Sequence, residues 1–438
     1  MLSSVILLFV LGGLFVFANK RPIYGLMYYF GIRMMIPYTA RVFSLSFNSI
    51  SLICLLLLLL PSFGKFYSST DIIDKKYIRL VTNLFLMIFL LTIFSFVVPK
   101  FFQWACLFQT FFTEFLPSVI LAAYLRKKED YQLFCKLIAY FAALFSLYAI
   151  YTYLYSSNPI FELFNNSGRV NLDLTDYTSE RMGLSNVAVG VYDDKIACSL
   201  ICMLCCMFIY GVKCITLKLR IISFCLCILA LFLTTQRTGL LCFLLFVVIN
   251  NLFNSKKTKN RLFFVLLGLT ICCGLFIKNQ IVYDLFSMIF SVFTDNSSNP
   301  NAVGGSSMEM RLMQLTSCLN YLDITSLLQG AGYGFAGYYY NYIWNIEIYG
   351  NDPRFLGFES YLFHIVMNSG IIGLACWGAF LKKLLILTRG YKSKYYLSFG
   401  LCYIIAILMT DASASLYLFF FLLVMNYKYF IVVDRLKN

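Results

Sequence analysis

Charged residues are scarce in this sequence of 438 residues. They make up 13% of the chain, about half the share found in soluble domains, whereas hydrophobic residues make up 61%. The apolar residues form long blocks that alternate with short basic clusters. This pattern excludes a soluble globular protein and predicts an all-α polytopic membrane protein.

Histidine is nearly absent, since His364 is the only one, and the polar loops contain no Asp-x-Asp motif. Cysteine is frequent, with 16 residues, but all except Cys318 lie in apolar blocks. The run Cys202-Met-Leu-Cys205-Cys206 has the spacing of half a zinc site, and neither a second pair nor a histidine completes it. We interpret the cysteines as packing residues and predict no metal and no cofactor.

The net charge of +15 comes from basic clusters at the ends of apolar blocks, such as Arg126-Lys127-Lys128. Clusters in that position set membrane orientation, so we predict a cytoplasmic C-terminus and do not expect nucleic-acid binding. The first apolar run, Val5 to Phe17, has no basic segment before it and is interpreted as a first span, not a cleaved signal.

The apolar blocks predict 12 or 13 transmembrane helices in a single transmembrane domain, residues 1–438. The second candidate, 22–40, is doubtful because it contains Arg33, and it could instead be re-entrant or interfacial. Two external loops are expected, a shorter one at 156–186 and a large one at 278–358, between the tenth and eleventh candidate spans. A loop as long as the second usually carries function, so we place the site there.

Arg237 lies in a polar island, Thr-Thr-Gln-Arg-Thr-Gly, between two apolar spans with almost no loop. Its guanidinium suits a diphosphate ester, because the planar fork forms bidentate charge-assisted hydrogen bonds with phosphate oxygens. An interfacial arginine that reaches lipid head groups explains the pattern equally well.

Arg311 begins a predicted helix of the large loop, and Gly330-Ala-Gly332-Tyr333-Gly334 follows it. Helix N-termini and glycine turns both present backbone amides to anions. Considered alone, Arg311 is better explained as a solvated surface residue, and the glycines as a turn with a possible substrate contact. The tyrosines and tryptophan of 333–349 could stack on sugars or anchor the chain at the interface.

Arg169 and Arg181 lie in the shorter loop among acidic residues, where mutual pairing in solvent is the simplest interpretation. Glu359 and Ser360 open the eleventh candidate span. A carboxylate there could act as general base toward a sugar hydroxyl, or could simply stabilise the helix N-terminus. His364 is interpreted as a buried packing residue.

Taken together, these motifs resemble those of the O-antigen polymerase (Wzy-type) and O-antigen ligase superfamily. The resemblance covers roughly residues 160–380 and rests on the external Arg-Thr-Gly, the arginine of the loop helix, the Leu-x-Gly-x-Gly-x-Gly segment and a span that contains Gly-Ile-Ile-Gly-Leu. Ligases carry His-Asn eleven residues before the first glycine of that last motif. This chain has Glu359-Ser360 there, which resembles the polymerase branch.

The resemblance implies a GT-C-like glycosyltransferase at the outer face of the bacterial inner membrane. Its partners would be undecaprenyl-diphosphate-linked oligosaccharides as donor and acceptor, membrane lipid and a chain-length regulator. Arg237 and Arg311 would hold the diphosphate and Glu359 would act on the acceptor, without a metal. Substrate-binding roles are expected for six residues: Arg169, Arg181, Gly332, Tyr333, Gly334 and Ser360. The alternatives are a ligase that transfers glycan to lipid A core, a lipid-linked sugar transporter or flippase, and a structural or sensor membrane protein.

Overall fold

The computed structural model describes residues 2–42, 45–68, 70–164, 186–212, 214–254, 316, 324–339, 360–387, 394–411 and 413–434. Within these ranges the chain is almost entirely helical, so the all-α prediction is confirmed. The helices, numbered in chain order within these ranges, are α1 (Leu2–Lys20), α2 (Pro22–Met35), α3 (Phe47–Ser68), α4 (Ile72–Phe94), α5 (Lys100–Tyr124), α6 (Lys128–Tyr155), α7 (Pro159–Phe164), α8 (Lys195–Gly211), α9 (Leu217–Leu233), α10 (Arg237–Asn254), α11 (Ile324–Gln329), α12 (Phe335–Tyr338), α13 (Tyr361–Ile386), α14 (Lys394–Met409) and α15 (Leu416–Lys428).

Six helical segments in the described ranges are long and apolar enough to cross a membrane: Ser3–Lys20, Ile72–Phe94, Lys100–Tyr124, Lys128–Tyr155, Tyr361–Ile386 and Ser413–Val432. The apolar parts of α3, α8, α10 and α14 are shorter. The chain is therefore a multi-pass membrane protein. The total of 12 or 13 spans stays a prediction, and the tenth candidate, 262–277, lies outside the described residues.

The second predicted segment, 22–40, is a shorter helix followed by a hairpin. Pro22 starts α2 after an extended Arg21, and the helix ends at Met35, just before Pro37. Its 14 residues are about 21 Å long, less than the ~30 Å of a bilayer core. Two short antiparallel strands follow, β1 (Arg41–Val42) and β2 (Leu45–Ser46).

Helix α15 is the centre of the bundle. Of the residues in its apolar span, 83% are buried inside the protein, compared with 28% in the span of α1. The ring of Phe420 is tilted against that of Phe115 of α5 with centroids 4.4 Å apart, and Phe419 stacks on Tyr403 of α14 with centroids 4.0 Å apart. The aromatic residues that supply 18% of the sequence thus form much of the protein interior around the last span.

Helix α5 contains a π-helical turn, Phe111–Phe115, at mid-length. Pro117 follows, and it has no N–H to donate to the carbonyl of Thr113 in the usual α-helical pattern. The wider turn accommodates that missing hydrogen bond. It also carries Glu114, an acidic side chain inside an apolar span, which π turns often accompany at functional sites.

Candidate functional site

A cavity of about 520 Å³ opens at one end of the bundle, which we call the cavity end. It extends along α5 from Phe102 to Glu114, a distance of about 18 Å at 1.5 Å per residue. The wall combines aromatic, amide, hydroxyl and charged side chains. Its described lining comprises Arg33, Tyr38, Ser46, Asn48, Phe102, Cys106, Gln109, Thr110, Thr113, Glu114, Tyr192, Asp194, Tyr333, Gly334, Ala336, Gly337, Tyr361, His364, Asn368, Asp411, Ser413, Ala414, Leu416 and Tyr417.

A buried ion pair lies where the cavity meets the core. The Arg33 Nη2 is 3.1 Å from Glu114 Oε1, and the two side chains are 8% and 14% exposed. The other carboxylate oxygen, Oε2, accepts a hydrogen bond of 3.0 Å from the backbone N–H of Tyr417. The guanidinium also lies 4.3 Å from the centroid of the Tyr417 ring. Glu114 therefore joins α2, α5 and the start of α15 at this wall.

Two carboxylates and the single histidine lie on another part of the wall. Asp194 caps α8 by accepting a 2.8 Å hydrogen bond from the backbone N–H of Ile196, and burial raises the pKa of this carboxyl group. The Nε2 of His364 is 3.8 Å from Asp411 Oδ2, with the two side chains 22% and 37% exposed. The interpretation of His364 as a buried packing residue is thus wrong: it is partly exposed on the cavity wall.

The glycine segment after α11 forms a turn packed between α5 and α13. Gly330, Gly332 and Gly334 have φ of +86°, +128° and +80°, a region that favours glycine. The backbone N–H groups of Gly334 and Phe335 donate to Asn368 Oδ1, at 3.1 Å each. The amides that an anion would use are therefore bonded to α13, and the interpretation as a turn is confirmed.

The glycine motif of α13 is shaped by the same contact. Gly370 has φ +62° and ψ −164° and kinks the helix. A Cβ at this position would lie 2.4 Å from the carbonyl oxygen of Leu328 and 2.6 Å from the N of Gly330. The two glycine motifs found in the sequence are therefore pressed against each other, which holds Tyr333 and Gly334 on the cavity wall. Burial raises the pKa of Tyr333 to about 12, so its phenol stays protonated.

The described site residues occupy different positions. Arg237 is the first residue of α10, half-buried, just after a turn in which Leu233 accepts a hydrogen bond from the N–H of Ala188. This arrangement puts Arg237 at the cavity end, but it is not among the described lining residues.

Ser360 is 1% exposed, caps α13 and donates to the carbonyl of Leu408 at 2.8 Å. Gly332 packs against Gln103.

Four predicted site residues, Arg169, Arg181, Arg311 and Glu359, lie outside the described residues. So do most of both predicted loops, including nearly all of the expected helix that Arg311 begins. Their roles stay predictions, as do the substrate-binding roles of Gly332, Tyr333, Gly334 and Ser360.

Four charged residues of the cavity were not predicted as site residues: Arg33, Glu114, Asp194 and Asp411. Each is an ionisable side chain within or between apolar runs, which is costly in a membrane and is therefore a signal of function. Arg33 was noted only as a reason to doubt the second span. Ionisable residues within apolar runs, and not only those in long loops, therefore indicate the site.

Residues 222–378 match the family model described as O-antigen ligase. The matched stretch contains Arg237, the glycine turn and the kinked part of α13. The resemblance predicted from the sequence is thereby confirmed at the level of the superfamily. No curated protein matches this chain.

Proposed function

From the match of residues 222–378 to the O-antigen ligase family, we propose that this membrane protein polymerises lipid-linked oligosaccharide repeat units. The donor and acceptor would both be undecaprenyl-diphosphate-linked, and the site would lie at the outer face of the inner membrane with the C-terminus in the cytoplasm. The observation that carries the polymerase branch is Glu359, which occupies the place of the ligase His, eleven residues before Gly370.

The position of Arg237 supports a role in holding the leaving group. It is half-buried at the first position of α10, an 18-residue helix whose N-terminus carries partial positive charge. A guanidinium there would stabilise the negative charge that develops on the bridging oxygen of a diphosphate. Arg311 is proposed to share this task, and Arg181 and Arg169 to contact the substrate.

The proposed reaction has one bond exchange. The acceptor hydroxyl oxygen attacks the anomeric carbon of the donor, and the bond from that carbon to the diphosphate oxygen breaks. Glu359 accepts the hydroxyl proton, and the undecaprenyl diphosphate leaves with the bonding pair. Because diphosphate is a good leaving group, positioning and charge stabilisation by arginines would be sufficient, without a metal.

The test is complementation of a strain that lacks this gene, with the polysaccharide ladder displayed on a gel. We expect Arg237→Ala and Arg311→Ala to abolish polymer, and Glu359→Gln to reduce it strongly, at unchanged protein levels. The matched control is Arg220→Ala, which removes an arginine of the preceding helix, α9, and should leave the ladder intact. A normal ladder from either arginine variant would remove that residue from the mechanism.

A ligase remains the second candidate because the matched family model is described as O-antigen ligase. The two activities leave different products when they fail. Loss of a polymerase leaves single repeat units on the final acceptor, whereas loss of a ligase leaves long polymer on the lipid carrier. Accumulation of carrier-bound polymer in the deletion strain would therefore replace the polymerase proposal with the ligase.

A further inference from the structure

We infer that the cavity binds an uncharged or amino-bearing sugar ring of the substrate and excludes its diphosphate. This inference rests on the proposed function and adds the chemical class of sugar that the site accepts.

The charge of the wall disfavours anions. The described lining residues include three carboxyl groups, those of Glu114, Asp194 and Asp411, and one guanidinium, that of Arg33. Arg33 and Glu114, 3.1 Å apart, largely neutralise each other, which leaves the carboxyl groups of Asp194 and Asp411. A phosphate or a uronic acid placed among these groups would meet like charge and be repelled.

Two buried polar atoms on the lining side chains indicate the complementary chemistry. Asn48 is 5% exposed and Arg33 is 7% exposed. Within the described part of the chain, Asn48 Oδ1 and Arg33 Nε have no hydrogen-bond partner. Buried polar atoms of this kind are costly, and one accepts while the other donates. A sugar hydroxyl can satisfy both kinds, whereas an ionised phosphate can only accept.

Aromatic side chains also contribute to the lining. Tyr38, Tyr333 and Tyr361 line the cavity together with the amide of Gln109. Flat apolar rings beside a few polar groups suit the apolar face and hydroxyl rim of a sugar. At about 520 Å³, the cavity is within the size range of small-molecule sites.

The diphosphate of the substrate would then bind outside this cavity. Arg237 lies at the same end of the bundle but does not belong to the described lining. The sugar and the diphosphate would therefore occupy adjacent sites of opposite charge preference. Such a division would hold the ring in one orientation relative to its leaving group.

The test uses the full chain in nanodiscs of phosphatidylcholine and ligand-detected saturation-transfer NMR. The probes are the methyl glycosides of glucose, glucosamine and glucuronic acid, with inorganic diphosphate as competitor. We expect binding of the glucoside, equal or stronger binding of the glucosaminide, and at least tenfold weaker binding of the glucuronide. Diphosphate should not displace the glucoside.

Asp411→Lys should produce a gain of glucuronide binding, which unfolding of the variant could not produce. Reversing this partly exposed charge should raise the glucuronide signal several-fold and lower the glucosaminide signal, with Asp411→Asn intermediate. Glu129→Lys changes an exposed carboxylate at the start of α6, outside the lining, and should change neither.

Equal binding of glucoside and glucuronide, displacement by diphosphate, no binding of any glycoside or an unchanged preference in Asp411→Lys would each overturn the inference. These measurements need no turnover. A failure of the arginine variants to affect polymer would therefore contradict the proposed reaction while leaving the sugar preference to be judged separately.

Discussion

Two ion pairs connect opposite ends of the central helix α15 to its neighbours, and their surroundings differ. At the cavity end, Glu114 joins Arg33 to the N–H of Tyr417. At the opposite end, Lys428 Nζ lies 2.6 Å from Asp74 Oδ2 of α4, with side chains only 2% and 3% exposed. The first pair faces a cavity, whereas the second is enclosed by protein.

The difference shows how similar chemistry can serve two purposes. An enclosed pair has no solvent to replace a lost partner. Removal of one partner therefore leaves the other charge buried and uncompensated in the protein interior. A pair at a cavity can be solvated by water or by ligand, so its cost on disruption is smaller and its charge remains available to shape a site. The Asp74–Lys428 pair should therefore contribute more to stability, and the Arg33–Glu114 pair more to activity.

The largest expected loss of stability comes from Lys428→Met. Removing the ammonium group leaves the Asp74 carboxylate buried without its partner, which should lower the free energy of unfolding by about 3–5 kcal/mol. Thermal unfolding in detergent would measure the change. The double variant Asp74→Leu with Lys428→Met should recover most of it. A double variant as unstable as the single one would show that shape, not charge, is responsible.

Gly370→Ala should have the next largest effect. The residue has φ +62° and ψ −164°, and a Cβ would meet the carbonyl oxygen of Leu328 at 2.4 Å. Backbone strain of this kind costs about 1–3 kcal/mol, and the turn that holds Tyr333 should also shift. Gly378→Ala in the same helix is the control, because nothing lies within 4 Å of its Cβ position. Equal melting temperatures for the two variants would contradict the contact.

Of the three changes, Glu114→Gln should reduce stability the least. It should nevertheless reduce activity strongly. The amide retains the shape and one acceptor, so we expect a loss of about 1–2 kcal/mol. Polymer formation should nevertheless fall at least tenfold, since the unpaired guanidinium of Arg33 would make the cavity more positive. The ladder assay and thermal unfolding, run together with Glu129→Gln as control, would separate the two effects. A large loss of stability with normal polymer would reverse the comparison between the two ends.

Much of the fold could be predicted from the periodic supply of apolar residues. The predicted spans 101–125 and 133–155 correspond to Lys100–Tyr124 and Lys128–Tyr155, because a backbone in lipid must satisfy its own hydrogen bonds as a helix. The segment 22–40 was harder, since Pro37 and a hairpin follow a helix that is too short to span. Apolar content alone does not distinguish a spanning helix from one packed inside a bundle.

The candidate site was only partly predictable. Arg237 stood out because a charge between two adjacent spans is visible in one dimension, and the glycine turn because its composition is local. Arg33 and Glu114 are separated by 81 residues, and neither neighbourhood in the sequence shows that they meet. His364 was misinterpreted because helical register alone does not show which neighbours a residue will face.

The sequence by itself determined that this chain crosses a membrane in helices, and its scarce charges and glycines were sufficient to predict the superfamily. Only the tertiary structure decided which of those charges lie together around a cavity and which form an enclosed ion pair. The physical reason is that hydrophobicity acts through composition along the chain, whereas ion pairs and hydrogen bonds depend on distances of a few ångströms between helices. Such distances are set by packing.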